Sequence, residues 1–514
     1  MSYFDKVSID GTFYDVRDSS TKQELSELKS ELKQELSELK QNSILATDIG
    51  IIPNSNNDQA ALIESAFTTH KSIIFPAGVY LLGRAISIPS GCGLIGCGIN
   101  ITTFVFTSAS GGITVTTSKA ENFFNGCNIS DISILARTFV NGAGVTINGA
   151  PSSVDRNTMF PHISNVHIGP EIYNSSTKGF NIGISFQNCN CISVNGLSVA
   201  GACNYNGTWN SNSGIRITGD ASKTIGTENL LTNINVKGFN YGIYASYTEG
   251  VQVSNAVIVG NNYGIYWDDG SRAHPHLAVT NSHLANAKTN VECHKILQGT
   301  LSANLFYNRA EGATAPMVVL DDGCSQWAIT GNVFYNAYTS KIVPGISVAG
   351  DHMTIMANQF ALLSADCVQV ESTASYITIA GISSSGTGLY VKNSASEPSQ
   401  IKSDYNASQT LPAQTNLVSG LANSWYQVTA NGVHVHFAFT AAGNIPANTQ
   451  LYRVLTPTRL NSISSVAYLG ILPSTNVHQL VTFKVDEDGH ITNNREITSG
   501  YQFVVDLFLT YYKN

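Results

Sequence analysis

Six short segments in the middle of the chain share one pattern around an asparagine: LTNINV at 231–236, VSNAVIV at 253–259, VTNSHL at 279–284, LSANLF at 301–306, ITGNVF at 329–334 and IMANQF at 355–360. Their asparagines are separated by 22, 26, 23, 28 and 26 residues. A period in this range is typical of solenoids, whose stacked repeats bury one continuous core. Because Asn tolerates the left-handed conformation of tight corners, we predict one turn ladder of Asn233, Asn255, Asn281, Asn304, Asn332 and Asn358.

A second set of positions repeats in step with the first. Each repeat contains a short apolar strand, in the order Gly183-Ile184, Gly214-Ile215, Gly242-Ile243, Gly264-Ile265, Asn290-Val291, Met317-Val318, Gly345-Ile346 and Cys367-Val368. Two ladders that keep step over this length predict an all-β solenoid of about a dozen coils, with neighbouring strands about 4.8 Å apart.

A helical repeat precedes the solenoid. The segment KQELSELK occurs at 22–29 and again at 33–40, with leucines at 25, 28, 32, 36 and 39. A repeat of 11 residues over three turns predicts helices that run nearly straight in a bundle. Because a single helix this polar is marginal in water, the leucine stripe predicts homo-oligomerisation through an α-helical coiled coil. The spacing does not fix the number of helices.

Composition and charge exclude several classes of function. Only 12% of the 514 residues are charged and 43% are hydrophobic, a balance that suits a folded β-rich protein. The net charge of −8, without a cluster of Lys or Arg, argues against a nucleic-acid partner. No apolar stretch of about 18 residues occurs and residues 1–20 lack a signal-peptide pattern, so we expect neither membrane insertion nor signal-dependent export.

The start of the solenoid resembles a known family. An amphipathic run at 57–67 is followed by IIFPAGVYLL at 73–82, AISIPSG at 85–91 and GLIGCG at 93–98. This succession resembles the capping segment of pectate-lyase-like, right-handed, single-stranded parallel β-helices in phage or prophage tailspikes and polysaccharide-degrading enzymes. The C-terminal alternation of Val433, Val435, Phe437 and Phe439 indicates a separate β-domain. In that domain, Trp425, Asn431-Gly432, Ile445-Pro446, Asp488-Gly489 and the terminal aromatic run are similar to the trimeric β-sandwich tips of phage tail fibres.

The resemblance implies a domain order and a set of partners. We expect a virion-attachment hairpin at 1–20, a coiled coil at 21–45, a β-helix cap at 46–100, the parallel β-helix at 101–405 and a β-sandwich tip at 411–514. It also implies a homotrimer in the virion tail, assembled in the host cytoplasm and acting at the bacterial cell surface. The N-terminus would bind a phage baseplate or tail protein, and the β-helix would bind bacterial surface polysaccharide.

Polar side chains end the strands of the second ladder. They are Ser246, Asp268, His294, Asp321 and Glu371. Stacking would place Asp268 and Asp321 two coils apart, about 9 to 10 Å, near the acid–base separation of inverting glycosidases. A strand slip of two residues would replace His294 by Glu292 and put it one rung, about 5 Å, from Asp268, nearer to retaining geometry.

Asp268, Asp321 and Glu292 are therefore candidate catalytic residues. The alternative is that Asp268 and Asp321 only end strands, with carboxylates that hydrogen-bond their own backbone. Candidate sugar-binding residues are Trp267, Tyr244, Tyr266, His294 and His274, since sugars bind to aromatic faces and planar polar groups. An inward position in the core is the alternative for the aromatic residues. We expect no metal site and no cofactor, because no third ligand stands at suitable spacing.

Three functions follow from these residues and the resemblance. The first is a receptor-binding tailspike that attaches to bacterial surface polysaccharide. The second is a polysaccharide depolymerase, a glycoside hydrolase or lyase acting on the same glycan, because solenoids of this kind include both binders and enzymes. The third is a bacterial adhesin, against which the missing signal peptide counts.

Overall fold

The structure is a computed structural model of the 514-residue chain. It describes residues 6–10, 12–15, 23–33, 43–116, 126–149, 160–203, 208–219, 228–268, 275–308, 315–336, 343–362, 365–385, 391–396, 401–403, 409–410, 418–420, 425–429, 432–453, 463–472, 474–475, 477–486 and 490–510. Much of the second copy of the helical repeat, residues 34–40, lies outside these ranges. Gly11, Asn431, Asp488 and Gly489 also lie outside them.

Two local elements precede the solenoid. Strands β1 (Lys6–Ile9) and β2 (Thr12–Asp15) pair antiparallel. Helix α1 spans residues 23–33, and its side chains Leu28 and Leu32 are 47% and 59% exposed. Exposed leucines on a polar helix are what the predicted bundle requires. The coiled coil and the trimer remain predictions.

The first coils contain strands of increasing length around one short helix, α2 (Ala60–Ala66). The strands are β3 (Ser43–Leu45), β4 (Ser72–Ile74), β5 (Gly78–Leu82), β6 (Ile86–Pro89), β7 (Gly93–Ile95), β8 (Thr102–Phe106), β9 (Ile113–Thr116), β10 (Asn128–Ala136), β11 (Phe139–Asn148), β12 (His162–Pro170), β13 (Gly179–Gln187), β14 (Ser193–Ala200) and β15 (Ser211–Thr218). A single 3-10 turn, Ala46–Ile49, follows β3. Helix α2 buries Ala60, Ile63 and Ala66 in the core that these strands share.

The later coils contain shorter strands. They are β16 (Asn229–Thr232), β17 (Asn235–Lys237), β18 (Phe239–Ser246), β19 (Gly250–Ser254), β20 (Val257–Val259), β21 (Tyr263–Asp268), β22 (His276–Thr280), β23 (His283–Asn286), β24 (Thr289–His294), β25 (Gln298–Ser302), β26 (Leu305–Asn308), β27 (Val318–Leu320), β28 (Trp327–Thr330), β29 (Val333–Asn336), β30 (Ile346–Val348), β31 (Asp351–Met356), β32 (Gln359–Ala361), β33 (Val368–Val370), β34 (Ser375–Ala380), β35 (Ser383–Ser384), β36 (Val391–Asn393) and β37 (Ile401–Ser403).

These strands form a parallel β-solenoid, as predicted. Each strand pairs in parallel with strands one coil away, and the long strand β14 pairs with both β16 and β17 of the next coil. One sheet, called here the long sheet, contains 12 strands: β6, β9, β11, β13, β15, β18, β21, β24, β27, β30, β33 and β36. This number agrees with the dozen coils expected from the sequence. The right-handed sense is the one that parallel crossover connections favour.

The second sequence ladder is confirmed residue by residue. Ile184 pairs in register with Ile215, and the ladder continues through Ile243, Ile265, Val291, Val318, Ile346 and Val368. All of these side chains are buried. On another face, Phe306, Phe334 and Phe360 stack with ring centroids 4.8 and 4.7 Å apart. Identical apolar side chains on successive coils therefore form the core.

The asparagine ladder is only half as predicted. Asn233, Asn255 and Asn281 are exposed and adopt positive φ angles of 52°, 52° and 49°. By contrast, Asn304, Asn332 and Asn358 are 1% to 2% exposed and lie one position further along the corner, because Ser302 pairs with Thr280 in register. The left-handed position is occupied there by Ala303, Gly331 and Ala357. The single ladder was wrong, and two adjacent ladders replace it.

The buried asparagines satisfy the backbone at the corner. The backbone N–H of Asn304 donates to Asn332 Oδ1 at 2.9 Å, and Asn332 Nδ2 donates to the Leu301 carbonyl at 2.8 Å and to Asn358 Oδ1 at 3.0 Å. Each amide thus pairs donors and acceptors that would otherwise be buried without a partner.

The C-terminal strands form a separate antiparallel sheet. They are β38 (Gln409–Thr410), β39 (Val418–Gly420), β40 (Trp425–Thr429), β41 (Gly432–Ala441), β42 (Gln450–Arg453), β43 (Ile463–Leu472), β44 (Val477–Val485), β45 (His490–Asn493) and β46 (Gln502–Thr510). Phe439 and Phe503 stack at 5.3 Å in its own buried cluster. The predicted β-sandwich tip remains a prediction. In the described part of the chain, no helix is long and apolar enough to cross a membrane.

Replacing Asn332 by Ala tests the buried ladder. The change leaves the Leu301 carbonyl and the Asn304 N–H without partners, and each such buried group costs about 1 to 3 kcal/mol. We expect the free energy of unfolding to fall by about 3 kcal/mol or more in equilibrium denaturation. Asn281→Gly is the control, because glycine accepts the positive φ and only an exposed bond is lost. Equal losses in the two variants would contradict the buried ladder.

Candidate functional site

One outward-facing ladder of the long sheet carries aromatic and charged side chains. Arg216 on β15 pairs in register with Tyr244 on β18, which pairs with Tyr266 on β21 and then with Glu292 on β24. Their neighbours in each strand, such as Ile215 and Ile243, point inward and are buried. Because side chains alternate between the two faces of a strand, the four outward residues form one continuous row.

Four tyrosines from β18 and β21 form a cluster on this face, called here the tyrosine cluster. It consists of Tyr241, Tyr244, Tyr263 and Tyr266. The Tyr241 ring stacks on Tyr263 at 5.2 Å, and the Tyr244 ring stacks on Tyr266 at 6.0 Å. Tyr241 also lies 5.0 Å from Tyr266. All four side chains are half-buried, so the cluster presents aromatic surface and hydroxyl groups to solvent.

Cations flank the tyrosine cluster at two positions. The guanidinium carbon of Arg216 lies 5.6 Å from the Tyr244 ring centroid, and Lys288 Nζ lies 4.5 Å from that of Tyr263. Lys288 also donates a hydrogen bond to the Tyr263 hydroxyl. Both distances are within the range of cation–π attraction. These contacts hold the rings in fixed positions.

Glu292, His294 and Asp321 form a second group beside the tyrosines. His294 Nδ1 lies 3.1 Å from Asp321 Oδ2, and His294 Nε2 lies 3.3 Å from Glu292 Oε1. The imidazole is 5.4 Å from the Tyr266 ring, so the two groups are contiguous. A protonated imidazole donates from both nitrogens, which suits two carboxylate acceptors.

The carboxylates shift the pKa of the imidazole strongly. Hydrogen bonds to Asp321 and then Glu292 outweigh desolvation and raise the pKa of His294 to about 10. Burial alone would raise the pKa of Asp321, but hydrogen bonds from His294, the Lys295 N–H and the Cys324 thiol lower it overall. Burial, then the charges of Glu292 and Asp268, raise the pKa of Tyr266 to about 12. His294 is therefore protonated and Asp321 ionised at neutral pH.

Asp321 also has the role that the alternative prediction gave it, because its carboxylate hydrogen-bonds the backbone at the end of a strand. Its Oδ1 accepts hydrogen bonds from the backbone N–H of Lys295 at 2.9 Å and of Gly323 at 3.1 Å. Its other oxygen holds His294. One carboxylate thus combines the turn role with a contact in the site. Because a general acid needs a raised pKa, the lowered pKa of Asp321 does not suit that role.

The register decides between the two predicted carboxylate pairs. Asp268 pairs with His294, and Glu292 pairs with Tyr266. The slipped pairing of Asp268 with Glu292 was therefore wrong. Asp268 and Asp321 lie two rungs apart with His294 between them, about 9 to 10 Å along the sheet. Asp268 is exposed at the end of β21.

One predicted aromatic platform is not at the surface. Trp267 is 0% exposed and belongs to the inward ladder of Ala245 and Cys293. Its predicted sugar contact was wrong, because its strand position points into the core, as it also does for Trp327 at 2% exposure. His274 lies outside the described residues. Tyr244, Tyr266 and His294 are the predicted sugar-binding residues that the fold brings together.

Four residues of the site were missed: Arg216, Tyr241, Tyr263 and Lys288. The repeated pentapeptide NYGIY at 240–244 and 262–266 is a signal that marks both tyrosines of each strand. Arg216 and Lys288 have no comparable repeat. Across the described residues, no group of three His, Cys, Asp or Glu side chains is placed to hold a metal ion.

Several solved structures are similar to this chain at low sequence identity. No protein-family model and no curated protein matches this sequence. The chain is similar to tailspike protein 3 of bacteriophage CBA120, with 14% identity, 83% of this chain and 75% of that chain covered, and a TM-score of 0.46. It is also similar to the A-module of mannuronan C-5 epimerase AlgE6 of Azotobacter vinelandii, with 12% identity, coverage of 66% and 99%, and a TM-score of 0.45.

A third similar structure is the N-terminal fragment of gene product 12 of bacteriophage phi29, with 13% identity, coverage of 72% and 75%, and a TM-score of 0.45. A phage tailspike is thus among the structures that the chain resembles, as the sequence predicted. Similarities of this size carry nothing about function.

The raised pKa of His294 can be measured directly. Hydrogen–deuterium exchange at histidine Cε1, followed by mass spectrometry across pH, should give a midpoint near 10 for His294, against an ordinary 6.5. His283 is the internal control, because burial lowers its pKa. Because the pKa of His294 is raised in the folded state, the protonated imidazole adds to the free energy of unfolding. This stabilisation is fully present below pH 6.5 and is lost as the pH rises through about 10. A His294 midpoint near 6.5 would contradict the ion pairs.

Proposed function

We propose that the chain is a receptor-binding tailspike subunit that attaches to bacterial surface polysaccharide through the tyrosine cluster. The observation that carries this proposal is the stacking of four half-buried tyrosine rings on the outer face of a rigid sheet. Sugar rings present apolar faces with hydroxyl groups at their edges. Tyrosine offers the complementary combination of an apolar ring and a polar hydroxyl.

The rigidity of the site supports binding. Both strands of the cluster belong to the 12-stranded sheet, and each ring contacts at least two other side chains. Side chains that are already ordered lose little conformational freedom when a ligand binds. A shallow aromatic surface of this kind suits an extended polymer that lies along the solenoid.

Trimerisation through α1 would strengthen attachment. Three copies of one site on a particle bind a repetitive surface with avidity, because the second and third contacts are intramolecular. The N-terminal β1–β2 pair would then bind a phage baseplate or tail protein, which puts the chain in the virion tail. The exposed Leu28 and Leu32 of α1 support this assembly.

The second candidate function is a depolymerase that cleaves the glycan that it binds. The exposed carboxylate of Asp268 favours it, because Asp268 lies on the rung next to His294, at the edge of the tyrosine cluster. Glu292 and Asp321 are both engaged by His294, so Asp268 is the carboxylate least constrained by neighbours. It would act as the base or nucleophile, with a separate group as acid.

Replacing Tyr266 by Ala tests the binding proposal. Tyr266 contacts three other tyrosines and His294, so its removal takes away the centre of the surface. We expect affinity for host polysaccharide, measured by surface plasmon resonance, to fall at least about tenfold, as for the loss of an aromatic anchor at an interface.

Tyr335→Ala is the matched control for Tyr266→Ala. Tyr335 is also a stacked surface tyrosine, 5.3 Å from Tyr307, but it lies on another face of the solenoid. The control should bind as the unmodified protein does. Equal loss of affinity in both variants, or in neither, would contradict a glycan site at the tyrosine cluster.

A cleavage assay separates the two functions. If the chain is a depolymerase, host polysaccharide should release reducing ends, or unsaturated products that absorb in the ultraviolet, and Asp268→Asn should reduce the rate at least about 100-fold. Glu371→Gln is the control, because Glu371 ends β33 on a more distant coil of the same sheet. Binding without release would leave a receptor-binding protein and exclude the depolymerase for that glycan.

A further inference from the structure

Arg216 lies on the outward row of the long sheet, on the β15 side of the tyrosine cluster. This part of the row runs Ser185, Arg216, Tyr244, Tyr266 and Glu292, one residue per coil. On the β24 side of the tyrosine cluster, Glu292 is joined to His294 and Asp321. The site therefore has a polarity, with an isolated cation at one end and paired charges at the other.

The charge of Arg216 has no acidic partner among the described residues. By contrast, Arg84 pairs with Glu64, and Arg137 binds both oxygens of Glu171 at 2.8 and 2.9 Å. A guanidinium carries five N–H donors, which match a carboxylate. Within the described ranges, the Arg216 guanidinium lies against the Tyr244 ring.

A second observation points to a missing acceptor at the same place. Arg216 Nε is buried and has no hydrogen-bond partner within the described structure. On the adjacent rung, the hydroxyl of Ser185, a residue that is 2% exposed, is likewise buried without a partner in the described ranges. Buried polar groups are paired in the great majority of cases, so these two atoms mark a place where the hydrogen-bonding capacity of the chain is not used. The Arg216 side chain as a whole is half-exposed, so an acceptor from outside the chain can reach the part of the guanidinium that is not buried.

We infer that the polysaccharide is acidic, and that Arg216 binds a sugar carboxylate while the neighbouring sugars lie on the tyrosine cluster. This inference rests on the proposed glycan-binding function and adds the substrate class. The Tyr244 ring holds the guanidinium in place, so the carboxylate meets an ordered donor. Charge-assisted pairs of this kind are about twice as strong as neutral hydrogen bonds.

The carboxylates of the site do not oppose this arrangement. Glu292 lies three rungs from Arg216, which is about 14 Å along the sheet. The screening length at physiological ionic strength is about 8 Å, so repulsion between Glu292 and a carboxylate at Arg216 is weak. The spacing also sets direction, because the acidic sugar must lie at the β15 end and the neutral sugars toward β24.

The experiment compares each polysaccharide with its uncharged form. A panel of purified bacterial capsular polysaccharides is tested in native form and after reduction of the uronic acid carboxyl groups to alcohols, by surface plasmon resonance with the full chain. We expect a polysaccharide that binds to lose about 10- to 100-fold in affinity on reduction. Arg216→Gln should abolish this difference. Arg216→Lys should restore only part of it, since an ammonium keeps the charge without the planar fork.

Lys392→Gln is the matched control, because Lys392 lies at the far end of the same row, and it should behave as the unmodified chain. Unfolding midpoints of all variants exclude a folding defect. Equal affinity for native and reduced polysaccharide would overturn the acidic class and leave glycan binding intact. A difference that persists in Arg216→Gln would overturn the role of Arg216. A panel without any binding would overturn the proposed function itself.

Discussion

In-register parallel stacking places every side chain about 4.8 Å from its counterpart on the next coil. Inside the solenoid this constraint favours identical side chains, because Ile215, Ile243 and Ile265 pack on one another without a gap. Outside, the same spacing makes like charges on adjacent rungs unfavourable. The outward row places two tyrosines between Arg216 and Glu292. The same stacking that builds the core therefore also aligns the aromatic rings of the tyrosine cluster.

Polar groups in the corners meet the same constraint in two ways. At Asn281 the residue adopts a left-handed conformation in solvent, and its amide bonds to Asn255 on the preceding coil at 2.6 Å. At Asn332 the amide is buried and its bonds replace water for the backbone of neighbouring coils. Loss of a hydrogen bond costs more stability at the buried asparagines than at the exposed ones, because a polar group in the core has no water to replace its partner. Both forms repeat because each asparagine supports the next.

Periodicity in the sequence predicts the fold well and the site in part. The inward ladder from Ile184 to Val368 was predicted position by position, since every coil repeats it. The predictions that were wrong required the position of a residue to within one place, which repeat spacing alone does not give. Asn304 is buried inside the corner, and Trp267 points into the core. The stacking of Asp268, His294 and Asp321 on successive rungs was predicted, but the hydrogen bonds of His294 to Glu292 and Asp321 were not, because they depend on side-chain orientation and not on register.

The bridge at His294 bears on how the site treats a glycan. Two carboxylates on neighbouring rungs would repel each other and attract protons, which is how many hydrolases obtain a general acid. Here a protonated imidazole lies between Glu292 and Asp321, and it lowers the pKa of Asp321. The cluster is stable as an ion pair and holds Tyr266 beside it. Such an arrangement keeps the charges fixed and leaves no carboxyl proton free to react, which favours the proposed binding of a polysaccharide over its cleavage by these two carboxylates.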